Sequence, residues 1–174
     1  DEWLDLEDES ENCQAFLRKH FYGPMGIPDE RITFFDVHAK DLEQECKRVD
    51  QVIFDHGGID CMLLGIGMNG HLGLNEPGRT FNSYAKVVEL DPITTQVGQK
   101  YFSAGMKLTR GITLGVRHMY ESKLVILQAG GAHKKEIIQK MYQTPPTEKL
   151  PATVLKLLPG GVVVLDQDAA AGLG

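Results

Sequence analysis

Apolar residues recur along the chain with two periods, one helical and one strand-like. Between Ser10 and Phe21 the positions Cys13, Phe16, Leu17 and Phe21 share one helical face, with Ser10 as the expected N-cap and Gly23-Pro24 as the stop. Leu42, Cys46, Val49 and Ile53 make the stripe of a second helix, opened by Asp41 with Gln44 and ended by Gly57-Gly58. Further helices are expected from Pro92 to Phe102 and from Ala132 to Tyr142, the latter with Ile137, Ile138 and Met141 inward. Pro151 opens a short one that runs through Leu158. Strand patterns cover Arg31 to Asp36, Ile59 to Leu64, Ala85 to Leu90, Gly111 to Val116, Lys123 to Ala129 and Val162 to Leu165, the last reading as a central strand.

Strands that alternate with helices define an α/β fold with a mostly parallel, Rossmann-like sheet and helices on both faces, because parallel neighbours need crossovers. With 174 residues the chain can close one hydrophobic core, and nothing in it reads as a linker or repeat. A single domain over 1–174 is therefore expected, with Ala169 to Gly174 as a frayed tail. The chain opens on Asp1 rather than Met, so an upstream part of the domain is expected as well.

Charge and cysteine content narrow the function classes. A formal charge of −6 leaves no electrostatic footprint for nucleic acid or an anionic membrane, and no apolar run approaches the ~20 residues of a membrane span. Cys13, Cys46 and Cys61 are odd in number and lack Cys-x-x-Cys spacing, which favours buried thiols in a reducing cytoplasm.

The chemistry concentrates in Leu64 to Gly78, where five glycines loosen the backbone after an apolar strand. This is where an open α/β sheet presents its ligand. Gly65, Gly67 and Gly70 formally match a dinucleotide fingerprint, yet Gly73, Pro77, Gly78 and Asn82 follow, so no helix amino end is available for a pyrophosphate. His71, Asn75 and Glu76 are the stronger signal. A carboxylate five residues from an imidazole can orient the ring and raise its basicity, as a general base near neutral pH requires.

On these residues the sequence resembles the glucosamine-6-phosphate deaminase/isomerase family, whose loop reads Gly-x-Gly-x-Asp-Gly-His-x-x-x-Asn-Glu-Pro. Gly65, Gly67, Gly70, His71, Asn75, Glu76 and Pro77 match it. Asp1-Glu2-Trp3-Leu4-Asp5-Leu6 is similar to the family's Asp-Glu-Tyr-Val-Gly-Leu segment, and Gly131-Ala132-His133-Lys134 to its Gly-x-x-Lys turn. Gly73-Leu74-Asn75 and Thr109 to Thr113 resemble the galactosamine-6-phosphate branch.

The resemblance implies conversion of an aldose amino-sugar phosphate and water into a ketose phosphate and ammonia, a hydrolysis of a C–N bond needing no metal or organic cofactor. His71, assisted by Glu76, would open the sugar ring, and Asp1 would carry the proton from C2 to C1. Asn69 stands where the family has aspartate, keeping an acceptor but removing a charge. Glu2, Gly67, Gly70, Lys134 and Arg110 are the implied substrate-binding residues, with Lys134 on the phosphate. The partner expected is a small sugar phosphate, and a homo-oligomer is compatible with the sequence. Two alternatives are a 6-phosphogluconolactonase-like hydrolase, against which Asn75-Glu76-Pro77 argues, and a non-catalytic sugar-phosphate sensor, which would not need Asp1, His71 and Glu76.

Overall fold

Two small sheets organise the chain in the computed structural model, which describes residues 1–6, 8–102 and 108–173. One is parallel, with strands β2 (Cys61–Leu64), β5 (Leu124–Ala129) and β6 (Gly161–Leu165) in the order β2-β5-β6. The other is antiparallel, with β1 (Glu2–Trp3), β4 (Arg110–Thr113) and β3 (Lys86–Glu89) in the order β1-β4-β3. The α/β class holds. The parallel character belongs to the first sheet, and in the second β3 and β4 pair antiparallel, with α3 (Pro92–Gly98) between them in sequence.

The larger core lies under the parallel sheet. Met62, Val125, Leu127 and Ala129 point from it onto Ile137, Ile138 and Met141 of α5 (Lys135–Gln143), and onto Val154 and Leu155 of a 3-10 helix over Pro151–Leu157. Val116 and Met119 of α4 (Val116–Glu121) complete it. A smaller core joins Ile112 and Leu4 to Cys46 and Val49 of α2 (Leu42–Asp55). Asp41 caps α2 by accepting from the amides of Glu43 and Gln44, as its sequence position predicts.

Several expectations are corrected. The first helix is capped by Asn12 rather than Ser10, and α1 (Cys13–Leu17) passes directly into a π-helical turn over Arg18–Tyr22. Its apolar stripe is not buried: Phe16 is 60% exposed and Phe21 48%. Residues 32–36 pair with no strand among the described residues, and Val116 begins a helix instead of ending a strand. Among the described residues β6 pairs with β5 alone and is an edge, not a central strand, and Val162 and Val164, on one face of it, are exposed. The expected tail folds into α6 (Gln167–Ala170), capped by Asp166; Gly174 lies outside the described residues. No described helix is long and apolar enough to cross a membrane.

Candidate active site

The glycine loop leaves the carboxyl end of β2 and folds back by hydrogen bonds of its own. Gly67 N–H donates to the His71 carbonyl at 3.0 Å and Gly70 N–H to the Gly67 carbonyl at 3.0 Å, while the Gly70 carbonyl accepts from Ala152 N–H at 2.9 Å. This curl brings the imidazole against Gly67. A Cβ at Gly67 would sit 2.3 Å from the His71 ring, so only glycine admits the ring there. Gly70 has φ +86°, a conformation that glycine adopts without strain.

Beyond His71 the loop is buried rather than free. Leu72, Asn75 and Glu76 are each 3% exposed or less. Asn75 Nδ2 donates to the Leu72 and Leu114 carbonyls, both at 2.9 Å, and so fastens the loop beyond β4. Its Nδ2 thus anchors the loop, while its buried Oδ1 has no hydrogen-bond partner among the described residues.

Four polar groups meet behind the imidazole. Glu76 Oε2 accepts from Asn69 Nδ2 at 2.8 Å and lies 3.5 Å from His71 Nδ1. Thr94 Oγ1 is nearer the ring, 3.0 Å from Nδ1, and accepts from Asn69 Nδ2 at 3.3 Å. Asn69 Oδ1 accepts from the His71 backbone N–H at 3.2 Å. Glu76 Oε1 accepts from Asp91 N–H at 3.3 Å, beside the start of α3. Burial works against the Glu76 charge, but the attraction of the nearby His71 imidazole and the hydrogen bond from Asn69 Nδ2 outweigh it and hold the carboxyl below its ordinary range.

In front of the ring opens a cleft of about 650 Å³, lined by Asp1, Gly67, His71, Gly73 and Lys134. The Asp1 carboxyl carbon would lie 3.9 Å from a Cβ on Gly73, which puts it at the turn just after the imidazole. Lys134 ends a 3-10 turn over Ala132–Lys134 that leads into α5, and its Nζ donates to the Ile66 carbonyl at 2.6 Å. Burial lowers its pKa. An ammonium has three donors, so further N–H groups remain for an anion in the cleft. Trp3, Phe16, Leu17, Met68, Ile93 and Val97 form apolar parts of the wall.

Two expected substrate contacts are turned elsewhere. Glu2 is buried, its carboxylate accepting from Cys13 N–H at 3.0 Å and Gln14 N–H at 2.8 Å, where it satisfies the open amides at the start of α1. Arg110 makes a two-pronged bond to Asp5, Nε to Oδ2 at 2.9 Å and an NH2 to Oδ1 at 2.8 Å, and does not line the cleft. Neither assignment could be separated from a neighbouring residue by sequence position alone. Thr94 was missed altogether, because nothing in the sequence ties a threonine of α3 to a histidine 23 residues earlier.

A parallel sheet with an imidazole and carboxylates at its carboxyl edge defines an α/β enzyme with a ligand cleft of the open-sheet kind. The family model for glucosamine-6-phosphate isomerases/6-phosphogluconolactonase matches residues 1–163, and the chain belongs to that family. The glucosamine-6-phosphate deaminase of Bacillus pumilus (strain SAFR-032) is 39% identical over 173 residues, covering 98% of this chain and 72% of the relative. That of Geobacillus sp. (strain WCH70) is 36% identical over 171 residues, 97% of this chain and 68% of the relative. Among solved structures, a monomeric glucosamine-6-phosphate deaminase superposes with a TM-score of 0.92 at 32% identity, over 98% of this chain and 72% of that one. The 6-phosphogluconolactonase of Trypanosoma brucei shares the fold, with a TM-score of 0.70 at 20% identity over 99% of this chain and 72% of that one.

Proposed function

We propose that the chain catalyses the isomerising deamination of an amino-sugar 6-phosphate, with glucosamine-6-phosphate as the first substrate to test. The observation that carries this reading is the convergence of Asp1, His71 and Lys134, far apart in sequence, on one cleft. Lys134 meets the phosphate. His71 takes the proton of the anomeric hydroxyl and returns it to the ring oxygen, which opens the sugar. Asp1 then removes the proton at C2 and delivers it to C1. The resulting ketose imine adds water and loses ammonia, so one sugar phosphate and one water give one ketohexose 6-phosphate and one ammonia.

The electrostatics support these roles. Glu76 stays ionised behind the ring and stabilises an imidazolium, whereas Asp1 is exposed and free to exchange a proton. The Gly67 and Gly70 amides are committed to the loop, so these glycines act by giving room and shape rather than by donating to substrate. Of the three cysteines expected to be buried, Cys46 is buried, Cys13 half-buried and Cys61 exposed; their odd number and lack of Cys-x-x-Cys spacing support a reducing, cytoplasmic setting. Ammonia release from glucosamine-6-phosphate and galactosamine-6-phosphate, run beside hydrolysis of 6-phosphogluconolactone, tests the reading. Turnover of an amino sugar is expected; hydrolysis of the lactone alone overturns it, as does binding of a sugar phosphate without reaction.

A further inference from the structure

We propose that Thr94 is a positioning residue that fixes the tautomer of His71. This inference rests on the ring-opening role given to His71 above. The imidazole Nδ1 lies 3.5 Å from Glu76 Oε2 but only 3.0 Å from Thr94 Oγ1. A nitrogen-oxygen distance of 3.5 Å exceeds the ~2.7 to 3.2 Å of a normal hydrogen bond, so the hydroxyl and not the carboxylate is the ring's direct partner.

The direction of the bonds follows from what each group can donate. Asn69 Nδ2 points N–H groups at both Glu76 Oε2 and Thr94 Oγ1. An ionised carboxylate only accepts, and Glu76, held ionised 3.5 Å from Nδ1, favours a proton on that nitrogen. The Thr94 oxygen, which already accepts from Asn69 at 3.3 Å, is then the acceptor for Nδ1–H of His71 at 3.0 Å. With Nδ1 carrying the proton, Nε2 keeps its lone pair and can act as a base. Thr94 thus supplies the close acceptor for the ring that Glu76, at 3.5 Å, does not.

The fold makes this a built contact. Asp91 accepts from the Ile93 amide at 2.8 Å and starts α3, Pro92 occupies its first turn, and Asp91 N–H is itself held by Glu76. Thr94 then falls on the inward side of that turn and is 3% exposed. The other acidic and basic side chains lining the cleft in front of the ring are Asp1, Glu11, Lys19, His20 and Lys134.

The test compares the full chain with Thr94→Val, which keeps the shape, and Thr94→Ser, which keeps the hydroxyl. In the free protein, nitrogen-15 spectra of the imidazole are expected to show the Nδ1-protonated tautomer for wild type and Thr94→Ser, and a shift toward the Nε2-protonated form for Thr94→Val. In turnover, kcat of Thr94→Val is expected to fall about 10-fold, the effect of one lost hydrogen bond, with KM little changed and the acid limb of kcat/KM moved to lower pH. Thr94→Ser restores most of the rate. An unchanged tautomer and pH profile in Thr94→Val overturns the proposal, and so does a loss in Thr94→Ser as large as in Thr94→Val. If the wild-type chain turns over no amino-sugar phosphate, the functional reading falls while the spectra still decide the part played by Thr94.

Discussion

Asn69 shows how one side chain wires the site. Its amide nitrogen donates to Glu76 Oε2 at 2.8 Å and its oxygen accepts the His71 amide at 3.2 Å. A carboxylate there would set two like charges within hydrogen-bond distance, so asparagine is the residue that lets Glu76 alone carry the charge behind the ring. The depressed pKa of Glu76 has a consequence for stability. A carboxyl whose folded pKa lies below its unfolded value stabilises the protein above the unfolded pKa, and that contribution vanishes as pH falls through the folded one. Glu76→Gln is therefore expected to be less stable than wild type at neutral pH, with the gap narrowing once pH drops below about 4.3, as urea unfolding across a pH series would show. A gap independent of pH would mean that packing, not charge, is what Glu76 supplies. At this scale the sequence was most readable where partners are close along the chain: His71 and Glu76 share a loop. Thr94 was invisible because its contact exists only after α3 docks, and Asp1 and Lys134 emerged through family resemblance rather than through spacing.

The glycine loop is the element that converts a strand end into a cleft. His71 occupies the volume that a side chain on Gly67 would take, with the ring 2.3 Å from an added Cβ. Gly67→Ala must displace an imidazole already held from behind by Thr94 and Glu76, and a shift of about 1 Å in a catalytic group is enough to cost ~10²-fold in rate. A kcat loss of that order with thermal stability close to wild type is expected from paired kinetic and melting measurements; retained kcat would show that the ring is not confined there. Among the elements, long periodic segments were legible and short ones were not. The α2 stripe and cap were correct because 14 residues carry several turns of signal. The six residues of α4 and the two of β1 carry too little, so the antiparallel sheet went unforeseen. The exposed stripe of α1 shows the limit of periodicity: Phe16 and Leu17 were placed correctly on one face, but that face lines the cleft instead of the core.

Across the whole molecule a buried polar link ties α2, α4 and the start of β3 together. His118 of α4 is 1% exposed and its Nε2 lies 2.6 Å from Asp50 Oδ1 of α2, which also accepts from the Ala85 amide at 3.0 Å, just before β3. The rings of Phe54 and Tyr84 flank the imidazole, with centroids at 5.9 and 5.0 Å. Asp50→Ala removes the acceptor of two donors and is expected to cost about 3 kcal/mol, measurable by denaturant unfolding; a loss under about 0.5 kcal/mol would mean that water replaces the carboxylate freely. The account as a whole stands on one cleft performing both ring opening and proton transfer at C2. Exchange at C2 of glucosamine-6-phosphate in deuterated water reports the two steps together, since the C2 proton becomes acidic only in the open aldehyde form. Deuterium should enter the recovered sugar phosphate with the wild-type chain, and the rate should drop ~10² to 10⁴-fold in His71→Ala; an unexchanged C2 with wild type, or equal exchange with His71→Ala, would contradict the account.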